Sequence, residues 1–364
     1  MNDRLANVRA KLAEQNLDAL LITVPDNLYY LSGFGGGEYL DATMVISRDQ
    51  HWISTDSRYY EEVKQRAPNF TLFEAGYDRV KVLGEFPKQV PVSTVGFEAA
   101  HLTVATLKDW SKAARKAGFK LKPTTGLIEE LRAVKDEGEL AKIKRAVQIT
   151  DDAFRHLVAC VKPGMTEKQV AWIIETYMRE HGADKVAFTL LVQSGPNGAF
   201  PHGEPTARPI AVGEPLLLDI GCRVDHYNSD MTRTIILGEA DDRFKQVYAA
   251  VLKAHTTAAR RIKAGVKGKR ADAFARAVAE KSEFKDHAFQ HGLGHGVGLQ
   301  VHEAPRASKL SKDTYKANMT LTIEPGIYIP GWGGVRIEDL VVIHEDGVDV
   351  LTQSPKELKD MVVK

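Results

Sequence analysis

Several carboxylates stand at the ends of apolar, strand-like segments, where they could bind a cation. Asp219 follows the leucines 216–218, and a carboxylate in such surroundings is costly to bury unless it is paired or coordinates a metal ion. Glu324 ends a β-branched run directly before Pro325, and Glu338 repeats the pattern fourteen residues later. An isolated acidic residue at a strand end is more often a turn residue, so each position alone is a weak indication.

Two further residues complete a set of oxygen and nitrogen donors. Asp230 lies eleven residues after Asp219, and the turn-forming residues between them predict a hairpin that brings both carboxylates onto adjacent strands. His295 lies in the segment HGLGHGVG, whose glycines permit close backbone approach. Four carboxylates and one imidazole suit two Mn²⁺, Co²⁺, Fe²⁺ or Zn²⁺ ions rather than a structural zinc held by thiolates.

The glycine-rich segment around His295 does not fit the common nucleotide-binding motifs. A phosphate-binding loop requires a following Lys-Ser/Thr pair, and these glycines do not open a dinucleotide-type βαβ unit. The segment from His291 to His295 also lacks the Glu of the zincin motif. Read alone, both histidines could be ordinary loop residues.

The elements that must position these residues fall into two groups. Strand-like runs at 18–24, 42–47, 51–56 and 93–98, with helices at 61–67 and 101–118, predict a small α/β domain over residues 1–127. A long amphipathic helix then runs to Pro163-Gly164, and Thr166 with Gln169 predicts a capping box for the next helix.

Later helices are predicted at about 242–263 and 270–282. Strand-like segments accompany them: FTLLVQSG, EPLLLDIG, MTRTIILG, MTLTIEPGIYI and DLVVIHEDG. Helix pairs that alternate with antiparallel strands indicate an α+β domain over residues 128–364, in which an internal two-fold repeat is conceivable.

The composition excludes several classes of protein. Forty-nine basic and 48 acidic side chains give a net charge of +1, without the basic excess that nucleic-acid binding requires. The N-terminus lacks the apolar stretch of a secretory signal, and the run LDALLITV is too short to cross a bilayer. Two cysteines, Cys160 and Cys222, indicate reduced thiols and a cytoplasmic location, with Cys222 a buried apolar residue rather than a metal ligand.

Taken in order, five motifs resemble those of the pita-bread metallopeptidases, a family that contains methionine aminopeptidase, aminopeptidase P and prolidase. The motifs are LLDIG, HYNSDMTRT, HGLGHGVGLQVHE, LTIEPGIY and GGVRIED, and the candidate ligands follow one another at steps of 11, 65, 29 and 14 residues. The segments DNLYYLSGF and TDSRYYEEV resemble the N-terminal domain of prolidase, aminopeptidase P and creatinase. The resemblance implies an α+β pita-bread catalytic domain preceded by a smaller α/β creatinase-like domain.

The resemblance also assigns roles to the candidate ligands. Asp219 would bind one metal ion, and His295 would bind the other together with Glu324. Asp230 and Glu338 would bridge both ions. Manganese is the first expectation, with cobalt, zinc and iron as alternatives.

Further residues match positions around the metal site of the family. Thr232 and Arg336 lie two residues from the bridging carboxylates and would orient them. His202 and His302 match a pair of substrate-facing histidines, and His291 matches a histidine near the pocket. The alternative for each histidine is a hydrogen-bonded loop or core residue.

The expected chemistry is hydrolysis of a peptide bond. Two cations lower the pKa of a bridging water and so supply hydroxide near neutral pH. Glu324 would take the proton of that water and pass it to the leaving nitrogen, while His302 and His202 stabilise the oxyanion.

Substrate preference depends on two features. The N-terminal domain argues against methionine aminopeptidase and for an enzyme that cleaves Xaa-Pro bonds. Arg306 lies eleven residues after His295 and resembles the arginine by which prolidases bind the carboxylate of a dipeptide; the alternative is an ordinary surface arginine. The sequence therefore favours an Xaa-Pro dipeptidase, with aminopeptidase P activity on longer Xaa-Pro-Yaa peptides as the alternative.

Two hypotheses from other classes remain open: a metal-free creatinase-like hydrolase and a non-catalytic peptide-binding module. Retention of all five ligands argues against both. The expected partners are small peptides with proline in the second position, with neither nucleic acid nor membrane, and the resemblance implies a homodimer.

Overall fold

A computed structural model describes residues 2–35, 41–78 and 80–363 of the protein. The chain forms two compact units, Met1–Arg132 and Ala133–Lys364. The sequence predicts a domain boundary after residue 127, and this boundary stays a prediction. Within the described ranges, no helix has both the length and the apolar character needed to cross a bilayer.

The first unit is built on a mixed sheet. Its strands are β1 (Ala19–Ile22), β2 (Ala42–Ser47), β3 (His51–Thr55), β4 (Thr71–Glu74), β5 (Thr94–Glu98) and β6 (Lys120–Thr124), in the order β4-β3-β2-β1-β5-β6. Its helices are α1 (Asn2–Glu14), α2 (Pro25–Ser32), α3 (Tyr60–Arg66), α4 (Lys81–Glu85), α5 (Val104–Lys116) and α6 (Glu129–Ala133). Strand β1 pairs antiparallel with β2 and parallel with β5, so the predicted α/β character is confirmed.

The second unit combines two helix pairs with short sheets. The helices are α7 (Glu137–Cys160), α8 (Glu167–Glu180), α9 (Asp242–Ala259) and α10 (Gly268–Ala279). The strands are β7 (Lys185–Val186), β8 (Leu191–Ser194), β9 (Pro215–Ile220), β10 (Cys222–Val224), β11 (Tyr227–Asn228), β12 (Met231–Leu237), β13 (Gly294–Gly296), β14 (Glu303–Ala307), β15 (Thr320–Ile323), β16 (Gly326–Ile329), β17 (Gly333–Arg336), β18 (Asp339–Ile343), β19 (Val348–Val350) and β20 (Val362–Val363).

Local sequence explains where the long helices of this unit begin. Thr166 accepts a hydrogen bond from the Gln169 backbone N–H, and the Gln169 side chain accepts one from the Thr166 N–H, so the predicted capping box is confirmed. Asp136 and Glu139 form the same arrangement at the start of α7. These caps satisfy N–H groups that have no partner inside the helix.

Each helix pair buries its apolar face against strands. Residues of α7 and α8, such as Phe154 and Ile174, share a core with β8, β9 and β12. Residues of α10 and the second half of α9, such as Ala275 and Ala258, pack with β15 and β18. The helix pairs therefore support the strands that end at the candidate ligands.

Some element predictions were wrong in extent. The segment 319–329 forms two strands, β15 and β16, in different sheets, because Pro325 lacks the N–H that a continuous ladder needs. The strand predicted from residue 188 begins at Leu191, and the helix predicted to residue 263 ends at Ala259. The sequence reading did not predict α1, α2, β4 or β6.

Candidate metal centre

Two adjacent strands position the first pair of carboxylates. Strand β9 pairs antiparallel with β12, and Asp219 lies opposite Thr232. The short strands β10 and β11 form a hairpin between them, with left-handed backbone at Asp225 (φ 46°) and His226 (φ 70°). Asp230 directly precedes β12, so the predicted hairpin does bring the two carboxylates onto neighbouring strands.

Close backbone packing positions His295 on β13. A Cβ atom added at Gly294 would lie 1.9 Å from the carbonyl oxygen of Thr322, so only glycine fits there. The His295 N–H donates to the Thr322 hydroxyl over 3.1 Å. Gly294, one of the glycines that the sequence singled out, therefore lets β13 approach β15.

The remaining carboxylates stand at strand ends. Glu324 follows β15, and its N–H donates to the Leu293 carbonyl over 2.8 Å. Glu338 precedes β18, and its N–H donates to the Thr232 carbonyl over 3.0 Å. Backbone hydrogen bonds thus join both carboxylates to the elements that carry the other ligands.

A single cavity of about 510 Å³ brings the sequence candidates together. Its lining includes His202, Asp219, Asp230, His291, His295, His302, Arg306, Glu324, Arg336 and Glu338. Thr232 lies behind this lining, fully buried, and donates to Glu338 over 2.7 Å. The roles of these residues stay predictions. That they lie close together is now seen directly in the structure and is no longer inferred from the order of the motifs.

The clustered carboxylates carry more negative charge than their surroundings balance. Burial raises the pKa of Asp230 well above its usual value, and the charge of Glu338 adds to the effect. Burial and Glu338 raise the pKa of Glu324 in the same way, and burial with Asp219 raises that of Glu338 to about 8. Such a cluster needs protons or cations to be stable.

His295 presents a free lone pair to this cluster. Burial and the neighbouring His302 lower the pKa of His295 to about 3, so its imidazole is neutral. Its Nδ1 lies 3.2 Å from the Gly296 carbonyl, which fixes the proton on Nδ1 because a carbonyl only accepts. The Nε2 atom then faces Glu324 Oε1 at 3.5 Å and Asp230 Oδ2 at 3.7 Å.

This donor set fits divalent cations. Donor atoms of the buried residues Asp230, His295 and Glu338, one from each, all lie within 4.8 Å of one another and could hold a metal ion. Asp219 Oδ1 is buried without a hydrogen-bond partner among the described residues, as expected of an atom reserved for a cation. Carboxylate oxygens with one imidazole nitrogen suit metals such as Mn²⁺, Fe²⁺, Co²⁺ or Zn²⁺.

A chain of hydrogen bonds supports the carboxylates from behind. Arg336 donates to Asp219 Oδ2 over 2.5 Å and to the Thr232 hydroxyl over 3.0 Å. Arg336 also donates to the Tyr328 hydroxyl over 3.0 Å, and that hydroxyl lies 2.9 Å from His291 Nε2. Since His291 Nδ1 contacts the Gly292 carbonyl at 2.7 Å, Nε2 is the acceptor and Tyr328 donates to it.

Sequence reasoning missed several supporting residues. Tyr328 lay inside the motif LTIEPGIY without a role, and only the fold shows that its hydroxyl joins His291 to Arg336. Arg233 is fully buried and donates to the Glu338 carbonyl over 2.6 Å and to Asp339 over 2.7 Å. A charged residue inside the apolar strand MTRTIIL was a signal that could have revealed it, because such a charge must be paired.

The substrate side of the cavity carries a different set of groups. Arg306 lies opposite His295 across β13 and β14, so the two side chains leave the same face. The His302 ring stacks edge-on against His295 with centroids 4.3 Å apart. Burial lowers the pKa of His302, and the charge of Arg306 lowers it further.

Comparison with known proteins agrees with this geometry. The model of metallopeptidase family M24 matches residues 141–345, and that of the creatinase/prolidase N-terminal domain matches residues 4–134. The chain is 34% identical to the Xaa-Pro dipeptidase of Pyrococcus furiosus, over 98% of this chain and 100% of that protein.

Solved structures show the same likeness. The Xaa-Pro dipeptidase from Bacillus anthracis is 34% identical, with a TM-score of 0.93 over 99% of both chains. The X-Pro aminopeptidase from Thermotoga maritima is 34% identical, with a TM-score of 0.89 over 99% of both chains. Fold and site together define a metal-dependent hydrolase with a pita-bread catalytic unit. The chain belongs to metallopeptidase family M24.

Proposed function

We propose that this protein is an exopeptidase that hydrolyses the Xaa-Pro bond of dipeptides. The observation that carries the proposal is the cavity in which the five candidate metal ligands and Arg306 meet. No described residue forms a salt bridge with the Arg306 guanidinium, which leaves it available for a substrate carboxylate. The names of the Pyrococcus and Bacillus relatives support the same substrate class.

The protein groups would divide the chemistry as follows. Cations held by the five ligands would supply Lewis acidity to a water molecule and to the scissile carbonyl. Glu324 would accept the proton of the attacking water and deliver it to the leaving proline nitrogen. His302, whose pKa is lowered by burial and by the charge of Arg306, and His202 would donate hydrogen bonds to the developing oxyanion. The free α-amine would lie near Asp219, which restricts cleavage to the N-terminal residue.

The ligand assignment is tested by removing single carboxylates. Glu324→Ala should lower kcat for Xaa-Pro hydrolysis by roughly 10²–10⁴-fold, because both proton transfers lose their carrier. Asp230→Ala should abolish stoichiometric metal binding, measured by plasma mass spectrometry. Glu345→Ala, an exposed carboxylate of the same unit, is the matched control. Undiminished hydrolysis in either ligand variant would refute the assignment.

The choice between dipeptides and longer peptides is tested at Arg306. Arg306→Ala should raise KM for Xaa-Pro about 10- to 100-fold, since a charge-assisted hydrogen bond contributes roughly 1.5–3 kcal/mol. Hydrolysis of Xaa-Pro-Yaa should change much less. Arg306→Lys keeps the charge without the bidentate fork and should give an intermediate KM. If the protein instead prefers tripeptides and Arg306→Ala leaves KM unchanged, aminopeptidase P activity is favoured, in agreement with the name of the Thermotoga structure.

The metal, the assembly and the location complete the proposal. We propose two manganese ions per chain, a homodimer and a cytoplasmic location. Metal analysis of the protein purified from its native source tests the first, sedimentation velocity the second and cell fractionation the third. A creatinase-like hydrolase or a peptide-binding module would contain no stoichiometric metal.

A further inference from the structure

The segment that carries His202 is a tight turn. The Gly203 N–H donates to the Phe200 carbonyl over 3.1 Å, which closes a four-residue β-turn with Pro201 and His202 at its centre. His202 lines the cavity, and no described residue hydrogen-bonds its imidazole. The direction of this side chain therefore depends on how the backbone of the turn is held.

One buried amide holds both ends of the turn. Gln193 is 1% exposed, and its Nε2 donates to the Phe200 carbonyl over 2.5 Å and to the Gly203 carbonyl over 2.9 Å. Two carbonyl acceptors fix the orientation of the amide, because the oxygen of Gln193 could not replace the nitrogen there. The two bonded carbonyls flank His202 in sequence.

A buried carboxylate fixes the chain on either side of the turn. Glu167, fully buried at the start of α8, accepts from the Ser194 N–H over 2.7 Å and from Asn197 Nδ2 over 2.9 Å. It also accepts from the Thr206 N–H over 2.9 Å and from the Thr206 hydroxyl over 2.6 Å. These contacts tie the segments before and after the turn to one helix end.

The strand that carries Gln193 also borders the metal ligands. Strand β8 pairs with β9 so that Leu191 lies opposite Asp219 and Gln193 lies opposite Leu217. Side chains two residues apart on a strand leave the same face, so Gln193 and the cavity-lining Leu191 share a face. One rigid strand pair thus sets the position of the turn relative to Asp219.

We propose that Gln193 and Glu167 are positioning residues for His202, holding its turn at a fixed distance from the metal ligands. The expected effect on kcat rests on the proposed function, whereas the expected displacement of the His202 side chain does not. Preorganised donors lose their effect when they move by about 1 Å, so loosening the turn should impair the reaction as removal of His202 does.

The kinetic test is a double-mutant cycle in the manganese-loaded protein. Gln193→Leu should lower kcat for Xaa-Pro about 10- to 100-fold with KM within about 3-fold. In a His202→Ala background, Gln193→Leu should lower kcat by less than about 2-fold, because the side chain that Gln193 positions is already absent. Gln148→Leu, on the exposed side of α7, is the matched control and should have no effect in either background. Equal losses in both backgrounds would overturn the proposal.

A second variant displaces the turn while leaving Gln193 intact. A Cβ atom at Gly203 would lie 2.5 Å from Gln193 Nε2 and 3.3 Å from Phe200 Cβ, so Gly203→Ala must separate the turn from the Gln193 amide that holds it. It should reproduce the kinetic pattern of Gln193→Leu. Unchanged kcat in Gly203→Ala would contradict the proposal even if Gln193→Leu fails to fold.

A structural readout separates this inference from the proposed function. In the zinc-loaded protein with ¹³C-labelled histidine, the His202 ring signal, assigned by its loss in His202→Ala, should shift or broaden in Gly203→Ala and Gln193→Leu. The signal of the remote His344 should stay unchanged. An unmoved His202 signal would overturn the inference, whereas a parent protein that cleaves no Xaa-Pro substrate would overturn the proposed function alone.

Discussion

Neighbouring buried carboxylates in this protein differ in how their charge is balanced. Asp339 is buried, which by itself raises its pKa, but Arg233, His255 and Lys356 hold the pKa well below its usual range. Glu338, the preceding residue, faces other carboxylates, and its pKa rises to about 8. Side chains of successive strand residues point to opposite faces, so one enters a structural ion pair and the other the cavity.

The hydroxyl of Thr232 offers a test at the scale of one residue. It donates to Glu338 and accepts from Arg336, so Thr232→Val leaves both groups short of a partner. Metal affinity should fall about 10- to 100-fold, measured by titration calorimetry.

The control for this experiment is another threonine. Thr176 on α8 has a buried hydroxyl without a hydrogen-bond partner among the described residues, so Thr176→Val should leave metal affinity unchanged. Equal effects of the two substitutions would mean that Thr232 does not support the ligands.

Helix α2 shows how one element depends on another for its cap. Its N-cap residue Val24 supplies no side-chain cap. Glu98 at the end of β5 substitutes, accepting from the Thr23 N–H over 2.6 Å and from the Val24 N–H over 2.8 Å. Asn27 donates to the other oxygen over 2.6 Å. A strand-end carboxylate thus caps a helix that follows a different strand.

This cap predicts a pH-dependent helix. Burial raises the pKa of Glu98 to about 7 from its ordinary value of 4.5. Between these two pH values Glu98 is protonated while the helix is folded and loses its proton when the helix opens and exposes it. The free energy of opening should therefore fall as pH rises between those values, by up to about 1.4 kcal/mol per pH unit. Hydrogen exchange of the amides of residues 26–32 should show this dependence on pH, and Glu98→Gln should flatten it. An equal slope in both proteins would exclude Glu98 as its source.

At the scale of the whole molecule, the carboxylate cluster couples metal binding to stability. Without cations the folded state binds more protons at Asp230, Glu324 and Glu338 than the unfolded chain does, since the pKa values of these carboxyl groups are raised. Stability of the metal-free protein should then fall as pH rises from about 4.5 through 8. The rise in Tm on adding Mn²⁺ to chelator-treated protein should grow over the same range, because protons compete with the metal.

Scanning fluorimetry with and without metal at several pH values checks this prediction. Glu338→Gln removes one titrating group. It should reduce both the pH dependence of stability in the metal-free protein and the pH dependence of the metal-induced rise in Tm. A metal-induced rise in Tm that is independent of pH would contradict the coupling between protons and metal at this cluster.

Much of the fold and the candidate site could be predicted because the signals are local. A few neighbouring residues suffice to predict the Thr166–Gln169 cap, the strand β12 and the motif around each of the five candidate ligands. Helix α1 escaped prediction because its alternating charges hide a narrow apolar face, on which Leu5, Val8 and Leu12 are buried.

What the sequence by itself determined was the type and order of the chemical groups, together with the strand ends on which they stand. Tertiary structure alone decided which distant groups meet: Arg306 opposite His295, Tyr328 between His291 and Arg336, and Gln193 beneath the His202 turn. The physical reason is that local propensities act over a few residues. These contacts depend on strand register and packing between segments far apart in the chain.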